Sequence, residues 1–163
     1  MRIHLSFIAS GLIAAAALTA CGGDDGGSGG GFSGDATLTY DGTDITGIGG
    51  IAFAQVEGSD SVFAVFVGNV SVSCSDMSAS APPDGTYASI IMADSTTGTK
   101  DALVSLEKYA GGAETADGAS ASGSVDVTAS SSSSITVDIS ETFSGDDGND
   151  YGVDGTFTVS VCS

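Results

Sequence analysis

Near the end of the chain apolar and polar residues alternate one by one, a period that belongs to strands and not to helices. Ile135, Val137 and Ile139 alternate with Thr136, Asp138 and Ser140. Phe157, Val159 and Val161 alternate with Thr156, Thr158 and Ser160, and Val125 and Val127 sit between Ser124, Asp126 and Thr128. A serine loop at 130–134 and an acidic loop at 144–150 join the three stretches. Three amphipathic strands in succession predict an antiparallel meander with one wet face.

Upstream the same signature recurs. Ala36, Leu38 and Tyr40 alternate with Thr37 and Thr39, and Asp41-Gly42 follows as a hairpin signal. Residues 51–56 form an apolar run. Residues 62–67 are continuously apolar and read as a central strand buried on both faces. Gly68-Asn69 reads either as a two-residue hairpin turn or as a bend in one long strand. Val70, Val72 and Cys74 then alternate with Ser71 and Ser73. Residues 77–85 read as a loop holding both prolines, with Pro83-Asp84-Gly85 as its turn. Residues 87–92 and 102–109 are the next strands, separated by turn material at 94–99. No helical periodicity of useful length occurs. The expectation is an all-β fold: an antiparallel β-sandwich or small barrel of about eight strands, forming one core over 35–163.

The N-terminus is organised differently. Met1 to His4 carries one fixed positive charge, and residues 5–18 are apolar apart from Ser6, Ser10 and Gly11. That is short of the roughly 20 apolar residues that span a bilayer, and it fits the core of a signal peptide. The run closes on Leu18-Thr19-Ala20-Cys21. Small residues before the cysteine suit ordinary secretory cleavage too, but only one reading uses the thiol. The motif resembles the lipobox of bacterial lipoproteins. The resemblance implies a signal peptide over 1–20, diacylglycerol on the Cys21 sulfur and usually an acylated (palmitate-type) amine, a stable anchor. It implies a location in the bacterial cell envelope. Gly22, in place of the aspartate that resembles an inner-membrane retention signal, favours the outer membrane if the cell is Gram-negative. Residues 22–34 are rich in Gly, Ser and Asp and read as a disordered tether with a reach of about 20 Å. Phe32 is its one apolar residue, a candidate to dock on the domain.

Charge narrows the partners. All 21 acidic residues follow Cys21. Cleavage would remove Arg2 and the single histidine, His4, and taking Arg2 from the formal −18 leaves −19. Nucleic-acid binding needs cations to displace counterions from phosphate, and Lys100 and Lys108 alone cannot supply them. Membrane contact would therefore come through the covalent lipid. The negative field could steer a basic protein partner, or simply serve solubility in a salty medium.

With Cys21 lipidated, Cys74 and Cys162 remain, and in an oxidising envelope they suggest one disulfide spanning 88 positions. Two cysteines and no histidine cannot make a zinc site. The domain, the cysteine past the central strand and the ending Gly-Thr-Phe-Thr-Val-Ser-Val-Cys together look like a recurring type of small envelope lipoprotein of unknown function. That resemblance implies no activity and no cofactor.

The search for chemistry ends quickly. Histidine-activated nucleophiles are impossible in the cleaved chain. Lys100 sits in turn material, and Lys108 stands beside Glu107 near a strand end. The glycine runs lack the lysine and the strand-to-helix context of a phosphate loop. Glu57, Glu107, Glu114 and Glu141 could in principle pair for glycoside hydrolysis. Glu141 is the notable one, since it shares the parity of Ile139 and Phe143; a bulge or a fraying strand end would turn it outward. Calcium is the remaining metal reading, on the acid density of Asp146, Asp147, Asn149 and Asp150 alone. The loop lacks the EF-hand spacing, and a solvated hairpin loop explains it equally. The expectation is a lipid-anchored, non-catalytic protein with a structural or partner-binding role; the alternatives are a carboxylate hydrolase or an inhibitor-like module for a basic secreted protein.

Overall fold

The computed structural model describes residues 31–57, 60–76 and 82–162. Nine strands occur among them: β1 (Ser33–Tyr40), β2 (Thr43–Thr46), β3 (Gly49–Glu57), β4 (Asp60–Gly68), β5 (Gly85–Met92), β6 (Gly98–Ala110), β7 (Ala113–Ser130), β8 (Ser134–Ser144) and β9 (Asp150–Val161). From β3 to β9 each strand runs antiparallel to the one before it. β9 then meets β3 and closes a seven-stranded barrel. Of the two expected architectures, the barrel is the one that forms.

Seven is odd, which has a geometric consequence. In an up-and-down sequence the first and last of an odd set point the same way. The closing pair β3–β9 is therefore parallel, the one parallel pairing among the described strands. It is also short: Ile51 opposite Ser160 and Ala52 opposite Val161. The rest of that edge of β9 is taken by β1, antiparallel from Ser33–Thr158 to Thr39–Gly152. β2 folds back on β1 through Asp41-Gly42, both with positive φ (52° and 67°), as a tight two-residue hairpin requires. β1 can lie this close because Gly155 has no side chain. A Cβ there would sit 2.1 Å from the Asp35 carbonyl oxygen, and its φ of +138° already suits only glycine.

The barrel interior is filled with side chains. Val65, Ile90, Val104, Leu106, Ile135, Val137 and Val159 are fully excluded from solvent within one continuous cluster. Leu38 and Ala36 extend that cluster from β1. Phe32 stacks on Phe157 at 6.0 Å between ring centroids, and the Gly31 N–H donates to Ser160 Oγ at 2.9 Å. The tether expected through Gly34 therefore ends sooner: β9 offers the backbone of residues 33–34 a ladder.

A second, smaller cluster lies outside the barrel wall. After β4 the chain leaves the sheet, and residues 69–76 cross the outer face. Val70 and Val72 pack down on Ile51 and Tyr87, with Phe53, Phe66 and Tyr109 around them. The stretch from Val70 to Cys74 is thus not the strand that its alternation suggested. Its valines face the wall and Ser71 faces water, a pattern any extended segment shows when one side is covered. Asn69 makes the departure: its Oδ1 accepts the Thr86 N–H at 2.8 Å and its own N–H reaches the Thr86 carbonyl at 3.1 Å. β4 is consequently buried on both faces, as a continuous apolar run implies.

Candidate functional site

Three places on this frame hold chemistry beyond packing. The first is the seam where β9 closes on β3. Past the two parallel pairs, the Cys162 N–H donates to the Ala52 carbonyl at 2.7 Å. Cys162 then bonds covalently to Cys74 in the crossing segment, across a sequence separation of 88 and a Cα–Cα distance of 5.4 Å. The expected disulfide forms, and its position is specific: it ties the end of the last barrel strand to the segment that covers the outer cluster. Asp76 steadies that segment by accepting from the Ser73 N–H and Oγ, both at 2.7 Å, and these bonds hold its carboxyl below the ordinary value. Beneath the segment, Tyr87 is 1% exposed and donates to the Pro83 carbonyl at 2.6 Å. Burial first, then the Asp76 and Asp84 carboxylates, push its phenol up to about 12.

The second place is a split in the wall. β7 and β8 pair over Asp126–Asp138 to Ser130–Ile135, with a bulge between Val127 and Ala129. Beyond Asp126 and Asp138 the described parts of the two strands share no further ladder pairs, although Glu141 stays close against Gly123. β8 continues to Ser144 paired with β9 alone, and β7 continues back to Ala113 paired with β6 alone. Glu141 bridges the opening. Its Oε1 accepts the Ser124 N–H at 2.7 Å and the Ser124 Oγ at 3.3 Å. Its side chain lies flat on Gly123, where a Cβ would come within 2.6 Å of the Glu141 Cδ. An open concavity here is lined by Asp101, Leu103, Ser122 to Ser124 and Glu141. Neither a bulge nor fraying accounts for Glu141: it is half-buried, at a strand position, and takes the place of a missing ladder partner.

The third place is the acidic loop. Asp147 Oδ2 and Asp41 Oδ1 both accept from the Tyr151 hydroxyl, at 2.8 and 2.6 Å. Asp147 also accepts from the Asn149 N–H at 3.0 Å and from Asn149 Nδ2 at 3.2 Å. The Asn149 N–H, ahead of Tyr151, holds the Asp147 carboxyl below its ordinary value, while Asp41 and then Asp147 hold the Tyr151 phenol well above its own. Asp150 Oδ1 turns to Ser144 Oγ at 3.2 Å. The four residues proposed for calcium, Asp146, Asp147, Asn149 and Asp150, are not gathered on one point. Among the described residues no three His, Cys, Asp or Glu side chains converge as a metal site would need. The acid density instead builds a clasp between this loop and the β1–β2 hairpin, which the Gly42 N–H completes by reaching the Asp150 carbonyl at 2.9 Å.

The remaining candidates are scattered. Lys100 pairs with Asp94 at 2.9 Å and donates to Thr96 Oγ1. Bonds from Thr96 and then Lys100 draw the Asp94 carboxyl down to about 2. Lys108 is exposed. Glu107 stands on the outer face of β6, accepting from Ser105 Oγ and Tyr109 Oη at 3.1 Å each. Glu114 lies opposite Tyr109 at the far end of the β6–β7 pairing. Neither shares the concavity with Glu141; the carboxylate that does is Asp101, which the strand pattern alone does not single out. Cys21 and the Glu57 side chain lie outside the described residues. No protein-family model, curated protein or solved structure matches the chain.

Proposed function

We propose that this protein is a lipid-anchored, non-catalytic component of the bacterial envelope, attached through Cys21, whose barrel has a structural or partner-binding role. The observation that carries the proposal is Leu18-Thr19-Ala20-Cys21 at the end of a signal-like apolar run. The cysteine pairing supports it. The chain has three cysteines, Cys74 and Cys162 are bonded to each other, and Cys21 is left as the acceptor for lipid. A disulfide between distant segments also suits an oxidising compartment. The barrel interior is occupied by its own aliphatic side chains, so recognition belongs to its surface. That surface carries far more carboxylate than cation, which favours a basic partner.

The test is lipid attachment in cells. Metabolic labelling with palmitate, and mass spectrometry of the N-terminal peptide, should place diacylglycerol on Cys21 of a chain that has lost residues 1–20. Cys21→Ala should abolish the label and release the protein from membranes. An unmodified Cys21, or membrane retention of a Cys21→Ala protein that has lost residues 1–20, would remove the proposal.

A further inference from the structure

The geometry points to residues 69–76 as a redox-operated cover, latched by the Cys74–Cys162 disulfide and released when a protein dithiol opens that bond. The inference goes beyond the reading above and stands whether or not Cys21 carries lipid. β4 and β5 are antiparallel neighbours, and about two to five residues can join such a pair. Here sixteen residues, 69–84, join them. Connections of that length in a compact domain tend to serve as covers or binding loops.

The segment has a firm latch and a weak hold. It joins no ladder of the described strands. Asn69 ties its start to Thr86, while the bonds between Ser73 and Asp76 are internal to it. Val70 and Val72 supply its apolar contact with the wall. Two valines and a pair of hydrogen bonds return less than the conformational entropy lost in ordering eight residues. Closure therefore depends on the covalent bond at the far end, which restricts the segment before it closes.

That bond is open to attack from one side. Cys74 is exposed and Cys162 half-buried, and exposed disulfides are the labile ones. A thiolate of the dithiol attacks Cys74 Sγ, forms a mixed disulfide and expels the Cys162 thiolate, which takes up a proton. The second thiol gives up its proton and closes on the first sulfur, and Cys74 leaves as a thiolate to be protonated in turn. Two electrons pass to the cystine, and the dithiol ends as a disulfide. Lifting the segment uncovers Ile51 and Tyr87, with Phe53, Phe66 and Tyr109 around them. The rings stand in pairs, Phe53 with Phe66 at 5.6 Å and Tyr87 with Tyr109 at 5.8 Å. The oxidised protein hides this aromatic floor and the reduced protein presents it.

The experiment uses the full-length, processed protein in neutral detergent micelles, with dithiothreitol as the dithiol and amide exchange as the readout. The bond should open without denaturant. Reduction should speed exchange about tenfold or more across residues 69–74 and at Thr86 and Cys162. Ile90, Val104 and Val137, inside the barrel wall, should keep their rates, and reoxidation should restore the slow pattern. Cys74→Ser should exchange fast over the same residues without reductant and should ignore dithiothreitol. A bond that yields only under denaturing conditions would overturn the inference. So would unchanged exchange in the reduced protein, since packing alone would then hold the segment down. Equal acceleration in every strand would also sink it, because the bond would then hold the barrel and not a cover. Should Cys74→Ser not fold, reduction of the native protein decides alone.

Discussion

The barrel is interrupted twice, and the two interruptions are resolved in opposite ways. At the seam, β3 and β9 share only two parallel residue pairs. Yet the seam is the closed place: apolar side chains flank it inside and out, a segment lies across it, and a disulfide locks that segment down. At the split, β7 and β8 begin with a sound antiparallel ladder and then share no further ladder pairs in their described parts, and one carboxylate spans the opening. The length of a ladder does not decide where this cylinder closes. What matters is whether there is apolar surface to bury across the gap. Ile51, Val72 and Tyr87 supply it at the seam; Ala121, Ser122 and Gly123 have little to offer at the split.

The contrast can be broken from either side. Replacing Cys74 and Cys162 by serine should have the largest effect, a loss of about 2–5 kcal/mol in denaturant unfolding, and reduction of the native protein should reproduce it. Unchanged stability would mean that the two ladder pairs close the seam unaided. Val72→Ala comes next. It removes two buried methyl groups over Ile51 and Tyr87 and should cost about 2 kcal/mol; a cost near zero would demote the covering segment to decoration. At the split, Gly123→Ala should cost about 1 kcal/mol by pushing Glu141 off the Ser124 N–H. Faster exchange at the Ser124 amide, with the seam amides unaltered, would show that the two gaps are independent.

The smallest expected effect is at high pH. Tyr87 lies under the covering segment and keeps its proton to about 12. An unfolded tyrosine loses its proton near 10. Ionisation thus favours unfolding only as pH rises through the interval from 10 to 12, and the tyrosine's contribution should be intact below 10. Tyrosinate absorbance followed alongside unfolding tests this. A Tyr87 that titrates near 10 in the folded protein would place water beneath the segment.

Much of the frame was legible in the sequence because single strands write their own burial. The alternations in β8 and β9 and the double-sided run in β4 all correspond to strands with the expected faces buried. The disulfide was legible because reading Cys21 as a lipid acceptor leaves only Cys74 and Cys162 to pair. What failed to show depends on neighbours. β7 begins at Ala113 in a stretch of Ala, Glu, Thr, Asp, Gly and Ser without periodicity; β6 supplies the ladder that makes it a strand. β2 is four largely polar residues held by β1. The crossing segment imitated a strand because a covered, extended chain also has period two. Calcium was suggested by composition, but Tyr151 and Asn149 occupy Asp147, and no local pattern reveals that Asp41, more than a hundred residues away, shares the same hydroxyl. Glu141 was visible as an anomaly of parity, while its purpose required knowing where β7 stops following β8.

The antiparallel course of β1 along β9 also has a mechanical reading. Gly31 and Ser160 are hydrogen-bonded neighbours, and the pairing of β1 with β9 begins at Ser33 and Thr158, right beside them. A pull on the chain at Gly31 would load those bonds one at a time, in the manner of a zip, starting next to the disulfide. The β1–β2 hairpin would peel away at modest force. The tension would then reach β3, and β3, β4 and the crossing segment would have to leave the wall before the bond between Cys74 and Cys162 carried any load; beyond it, that bond would pass the load straight to the end of β9 and shield β5 to β8.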